Sequence, residues 1–235
     1  MAMSAPTLSI IVPTFREAEN IPALVARIEA ATAPFDGRRA LLIVDDASGD
    51  GIDRVVAGLG RDWVTLIDRA GPRDLSGAVL DGLRAARGDL LVVMDADLSH
   101  PPESIPDLLA ALEAGADIAV GSRYVAGAAI AEDWGGGRHL NSRAGTLIAR
   151  LFTRLRDPMS GFFALTRATF ENAGPLAPIG YKILLELLVK CRPARVVEVP
   201  IRFADRAQGE SKLTLGQQMR FLRHVGRLLR YRLAP

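Results

Sequence analysis

Asp95-Ala96-Asp97 stands directly after the apolar run Leu90-Leu91-Val92-Val93-Met94, and Leu98-Ser99-His100-Pro101-Pro102-Glu103 follows it at once. The run reads as a buried strand of a mostly parallel sheet, and such sheets place their chemistry just beyond the strands' carboxyl ends. Two carboxylates one residue apart make a hard-oxygen site suited to Mg²⁺ or Mn²⁺, and such an ion usually holds substrate phosphates. The same residues would also serve as a helix N-cap ahead of Pro101 and Pro102, or as a solvated turn. His100 offers either a catalytic base or a structural imidazole, and we read it as structural.

Two more strand ends carry polar groups. The first strand runs out through Val12-Pro13-Thr14-Phe15-Arg16-Glu17, the second through Val44-Asp45-Asp46-Ala47-Ser48-Gly49-Asp50. In a parallel sheet these ends share one edge with Asp95 and Asp97, so the groups converge on one crevice. Acids there suit the base and ribose hydroxyls of a nucleotide, although Asp45-Asp46 on its own would equally cap a loop. The chain has no G-x-x-x-x-G-K-S/T, and no G-x-G-x-x-G follows the first strand, which excludes two common phosphate-binding motifs.

The elements that must position these groups alternate. Strands are expected at Leu8–Val12, Ala40–Val44, Val64–Ile67, Leu90–Met94 and Asp117–Val120. Helices are expected at Glu17–Ala30, Ile52–Leu59, Leu75–Ala86 and Glu103–Glu113. This rhythm predicts a doubly wound α/β sheet with right-handed crossovers. Beyond it come a glycine- and alanine-rich stretch from Gly127 to Gly137 that reads as an active-site loop, and a helix over Leu140–Leu155. A strand over Gly161–Leu165, a helix over Tyr181–Lys190 and a strand over Val196–Val199 follow.

With 235 residues, 49% hydrophobic and 24% charged, the chain is globular and has ample length for a full core. No run approaches the roughly 18 apolar residues of a spanning helix. Met1-Ala2-Met3-Ser4 lacks a charged and apolar leader, so residues 1–7 read as a loose terminus or an expression remnant and the cytosol is expected. Cys191 is the single cysteine and reads as a buried core thiol. Net charge is only +2, yet residues 212–235 hold six Lys/Arg and no acid. As a helix, Leu215, Met219, Leu222, Val225, Gly226 and Leu229 would line one face, with Arg220, Arg223, Arg227 and Arg230 on its flank. Such a helix would either lie on an anionic membrane or pack on the domain. Nucleic acid is not an expected partner, because few aromatics are interleaved with these cations.

Taken in order, Ser9-Ile10-Ile11-Val12-Pro13-Thr14, Val44-Asp45-Asp46-Ala47-Ser48 and Asp95-Ala96-Asp97 resemble family 2 glycosyltransferases of the GT-A fold. Gly121-Ser122-Arg123-Tyr124, Asp157-Pro158-Met159-Ser160-Gly161-Phe162 and Gly209-Glu210-Ser211-Lys212-Leu213 narrow this to polyprenyl-phosphate sugar transferases, nearest the dolichol-phosphate mannose synthases. The resemblance covers about Leu8 to Leu213, with a GT-A catalytic domain over residues 8–211 and a basic amphipathic helix over 212–235.

The resemblance implies a set of roles. Pro13, Phe15, Glu17, Val44 and Asp46 would hold the base and ribose, with Ala96, Ser99 and Arg123 completing the nucleotide-sugar contacts. Asp95 and Asp97 would hold Mg²⁺ or Mn²⁺ on the diphosphate, over which Arg206 and Lys212 would close. Arg123, Arg138 and Ser142 would grip the acceptor phosphate, since a guanidinium fork binds phosphate oxygens in pairs. Asp95, Asp97, Arg123 and Arg138 form the implied catalytic group. The implied reaction is inverting transfer of mannose from GDP-mannose to a polyprenyl monophosphate at the cytoplasmic face of a membrane. A membrane-protein partner or a transmembrane region beyond this chain would fit the same picture.

Because a phosphate monoester is already anionic near neutrality, its oxygen can attack without a strong base. Arg16 and Ser99 depart from the family pattern, where many members have Asn and Gln. The alternative donor is UDP-glucose or UDP-N-acetylglucosamine. A haloacid-dehalogenase-type phosphatase is a poor fit, since two strand ends precede the D-x-D. A non-catalytic binding module would lack Asp95, Asp97, Arg206 or Lys212. Trp134 would pack on the acceptor lipid or anchor its loop.

Overall fold

The computed structural model describes residues 7–35, 37–130, 147–204 and 215–233. Its first part alternates strictly: β1 (Leu8–Thr14), α1 (Ile21–Ala31), β2 (Arg39–Asp45), α2 (Ile52–Gly58), β3 (Val64–Asp68), α3 (Leu75–Ala85), β4 (Leu90–Val93), α4 (Ile105–Glu113) and β5 (Ile118–Ser122). The second part comprises β6 (Ala129–Ile130), β7 (Phe163–Thr166), α5 (Arg167–Glu171), α6 (Ile183–Lys190), β8 (Val196–Pro200), β9 (Arg202–Phe203) and α7 (Leu215–Leu233).

Seven strands form one sheet in the order β3-β2-β1-β4-β7-β5-β8. All its pairings are parallel except those of β7, which runs antiparallel to both β4 and β5. The expected mostly parallel α/β sheet is therefore present, with one reversed strand in its middle. β6 and β9 make a separate parallel pair.

Period-two alternation splits the buried strands between two faces. Ile10, Val12, Val92 and Met94 pack with Ile21, Leu24 and Ile28 of α1 and Leu108 of α4. Ile11, Leu91 and Val93 face the other way, towards Val79 and Leu83 of α3 and Leu184 and Leu187 of α6. Both faces are covered, so the strand sequences are continuous apolar runs. Truncating a residue such as Ile10 to Ala is worth about 2–5 kcal/mol. Cys191, just past α6, lies in the second layer, and burial pushes its thiol up to about 12.

Several boundaries differ from the sequence expectations. The first helix begins at Ile21, not Glu17. Asp50 Oδ2 takes the Ala18 N–H at 3.0 Å and a turn fills residues 18–20, while Pro22 suits the first helical turn. The helix expected to reach Leu155 ends at Ala149, where Leu151 and Phe152 close onto carbonyls three residues back. The stretch from Gly127 opens with strand β6, and Gly135 to Gly137 and Trp134 lie outside the described residues.

On α7 the buried face is Phe221, His224, Val225 and Leu228, whereas Met219 and Leu222 are exposed. The face is rotated from the expected one because the helix docks on Ala149, Met159 and Leu185 and brings His224 against Glu186 of α6. Its arginines Arg220, Arg223, Arg227 and Arg230 are exposed as expected.

Candidate active site

The carboxyl ends of β2, β1 and β4 are neighbours in the sheet, which brings the three predicted loops together. Each turns through one non-glycine residue in the left-handed region: Arg16 (φ 59°), Ala47 (φ 55°) and Leu98 (φ 61°). Such conformations are uncommon for non-glycine residues and cluster at functional sites.

Asp45 and Asp46 differ in use. Asp45 is buried, accepts from Thr14 Oγ1 at 3.0 Å and from the Ser48 N–H at 2.8 Å, and also receives the Ser48 hydroxyl. Ser48 Oγ in turn accepts from the Arg16 N–H at 2.8 Å. Asp45 therefore ties the β1 and β2 loops together, the loop-capping alternative open from the sequence. Asp46 carries an ion pair with Arg69 and accepts from the Asp74 N–H at 2.7 Å, which fixes the β3–α3 loop over the same edge. Asp74 caps α3 by accepting from the Gly77 N–H at 2.9 Å, and burial raises its pKa.

Phe15 is half-buried, with the Arg73 guanidinium carbon 3.2 Å from its ring centroid and that of Arg16 at 5.3 Å. Glu17 accepts from the Asn20 side-chain amide at 2.6 Å. Val44 is fully buried against α3, and Pro13 is buried within β1. The Val44 side chain is therefore core, and only its backbone faces the edge.

At the β4 end, Asp97 Oδ1 accepts from the Ser99 N–H at 3.1 Å and from Ser99 Oγ at 2.6 Å. Ser99 thus orients Asp97, and Ala96 packs into the core beneath. Asp95 is the more open carboxylate, one-third exposed. Its N–H donates to His100 Nδ1 at 3.0 Å, so the His100 ring proton sits on Nε2. Burial lowers the pKa of His100, which stacks on Phe162 with centroids 5.3 Å apart. His100 is a neutral prop for the Asp95 backbone, as the structural reading expects.

Gly161 closes against this corner. A Cβ there would stand a tight 3.2 Å from both Asp95 oxygens and from His100 Cε1, so glycine lets the Asp157–Phe162 segment lie alongside the carboxylate without pushing it aside. Ser160 Oγ fixes that segment by donating to the Gly121 carbonyl at 2.8 Å.

Arg123 follows β5 and is bidentate to fully buried Asp157, with Nε at 2.7 Å and Nη2 at 2.8 Å. Burial works against its charge, but Asp157 outweighs that and holds the guanidinium above its ordinary range. Glu198 receives the Arg156 and Asp157 N–H groups at 2.8 and 2.9 Å, locking the pair to β8. Arg138, Ser142, Arg206 and Lys212 lie outside the described residues.

Among the described residues no three His, Cys, Asp or Glu side chains cluster closely enough to cage a metal. Two carboxylates with an open side nevertheless fit a hard divalent cation whose other positions come from phosphate oxygens and water. Asp95 and Asp97 would hold it.

Sequence reasoning missed Arg69, Arg73 and the bracing roles of Asp157 and Gly161. The signal for the two arginines was available: β3 is another parallel strand whose carboxyl end joins the same edge.

The family described as Glycosyl transferase family 2 matches residues 9–174. A dolichol-phosphate mannosyltransferase of Pyrococcus furiosus is 42% identical over 229 residues, covering 95% of this chain, which spans 64% of that protein's length. One from Mycosarcoma maydis is 40% identical, with 97% of this chain and 81% of that protein covered. Among solved structures, glucosyl-3-phosphoglycerate synthase from Mycobacterium tuberculosis, crystallised with Mn²⁺, UDP-glucose and glycerol 3-phosphate, superposes with a TM-score of 0.70 at 20% identity. The alignment covers 97% of this chain and 80% of that one, and at that identity it speaks for the GT-A fold alone. The strand-end carboxylates thus sit in a known architecture, and the chain is a member of glycosyl transferase family 2.

Proposed function

We propose that this chain transfers mannose from GDP-mannose to a polyprenyl monophosphate, with inversion and in dependence on a divalent cation. The observation that carries the reading is the corner at the β4 end, where Asp95 and Asp97 are held by His100 and Ser99 beside Gly161. It is supported by the names of relatives at 35–42% identity, dolichol-phosphate mannosyltransferases and a polyprenol monophosphomannose synthase.

In this reading Phe15, Glu17 and Asp46 hold the base and ribose, Asp46 through lone pairs left beside its two donors. A divalent ion, Mg²⁺ or Mn²⁺, would neutralise the diphosphate as charge develops on the leaving group. Arg206 and Lys212 add positive charge to that leaving group. Arg123, rigid on Asp157, and Arg138 with Ser142 align the acceptor phosphate for in-line attack, so the chain's main task is to hold two anions together. No general base is required, which agrees with a neutral, inward-facing His100.

No helix among the described residues is long and apolar enough to cross a membrane. The exposed arginines of α7, with Met219 and Leu222 beside them, suit an anionic cytoplasmic membrane surface that carries the lipid acceptor. The test is transfer of labelled sugar to a short polyprenyl phosphate, with GDP-mannose and UDP-glucose compared and EDTA as control. Metal-dependent mannosyl lipid is expected; transfer from UDP-glucose alone would overturn the donor.

A further inference from the structure

The loop between β3 and α3 is anchored on both sides of one arginine. Arg69 pairs with Asp46 and, at 2.8 Å, with Asp81, while the Asp74 N–H donates to the other Asp46 oxygen. Between these anchors Arg73 is exposed, and its guanidinium carbon sits 3.2 Å from the Phe15 ring centroid. At that separation the planar group has to lie flat on the ring. Among the described residues no carboxylate or carbonyl accepts from Arg73, in contrast to Arg69 four residues earlier. A guanidinium stacked in this way keeps its N–H groups in its own plane, clear of the ring beneath it.

We propose that Arg73 reads the base of the donor, presenting its fork to the O6 and N7 acceptors of guanine while Phe15 backs the guanidinium. The proposal rests on the reading that a sugar nucleotide binds at these strand ends. Guanine offers two adjacent acceptors matched to a guanidinium fork, a pairing worth roughly tenfold or more in discrimination. Uracil has no such pair, so the arrangement selects a guanosine donor over a uridine donor. A flat guanidinium and a base hydrogen-bonded edge to edge share one plane, and the anchored loop holds that plane parallel to Phe15 before the nucleotide arrives, which lowers the ordering cost of binding.

The experiment is calorimetric titration of the full chain, with Mn²⁺ present, by GDP, UDP and 7-deaza-GDP, in which a C–H replaces N7. Wild type is expected to bind GDP more tightly than UDP and to bind 7-deaza-GDP less tightly than GDP. Arg73→Ala should lose GDP affinity by about tenfold or more, change UDP affinity by less than about twofold, and no longer distinguish GDP from 7-deaza-GDP. Arg73→Lys, a point charge without a fork, should behave like Arg73→Ala. Equal loss of GDP and UDP, rescue by lysine, or unchanged GDP affinity in Arg73→Ala would each overturn the role of Arg73 while leaving the donor reading standing. A wild-type chain that prefers UDP would overturn both. Arg73 is exposed, so all variants should keep the wild-type melting temperature.

Discussion

Two groups of charged side chains sit on opposite ends of this molecule's polarity. At the strand-end crevice, Asp95 is one-third exposed, with its backbone braced by His100. Between α6 and α7, Glu186 is fully enclosed. Its Oε1 receives Lys190 Nζ at 2.6 Å and the Ala177 N–H at 2.7 Å, and its Oε2 lies 3.1 Å from His224 Nε2. Burial favours the neutral acid there, yet these donors outweigh it and hold the carboxyl at about 2. Asp95 keeps one side open to solvent, whereas Glu186 is enclosed by partners from the fold. A carboxylate with an open side can take a ligand, and one enclosed by donors holds the elements around it.

The sharpest way to break this comparison is to remove one carboxylate from each region. Asp97→Ala should lower transfer by at least about a hundredfold with a small change in melting temperature, read by sugar transfer and calorimetry together. Full activity in that variant would remove Asp97 from the metal-binding role. Glu186→Ala should invert the pattern. Stranding Lys190 and His224 is expected to cost about 3–5 kcal/mol, on the order of 10 °C in melting temperature, while the folded fraction binds GDP normally. A thermal midpoint within a degree or two of wild type would mean that the cluster contributes no architecture.

A subtler contrast uses acid. Because the folded-state pKa of Glu186 lies below its ordinary 4.5, its stabilising contribution is present above that pH and is lost as pH falls towards about 2. Denaturant titrations across that window should show a steeper loss for wild type than for Glu186→Gln; parallel curves would contradict the assignment. The smallest effect concerns the crevice backbone. Arg16 holds φ at 59°, and Asn tolerates that region better, so Arg16→Asn should raise the unfolding free energy by about 1 kcal/mol, seen as a higher denaturant midpoint at unchanged m value. An unchanged midpoint would show that Arg16 gains as much from its contact with Phe15.

The parts legible in the sequence were those set by local pattern. Apolar runs such as Leu90–Met94 named their strands, and Asp95 and Asp97 followed from standing at a strand's end. The reversal of β7 was not legible, because a short apolar run looks the same in either direction. Nor was the partner of Arg123, which comes from Asp157, 34 residues away. Val44 shows the converse: it stands two residues before Asp46, and the strand's alternation turns its side chain into the core. The face of α7 was misplaced because helix periodicity names a stripe, while the neighbour that covers it belongs to tertiary packing.

Cys191 gives the buried layer behind α6 a chemical clock. With burial pushing its thiol up to about 12, almost none of it is thiolate at neutral pH, and alkylating reagents attack only that form. Modification of the chain's single cysteine therefore waits for this layer to open, and the alkylation rate counts openings directly. A nucleotide that slows the rate would be acting on this layer from the strand ends, measured without any label.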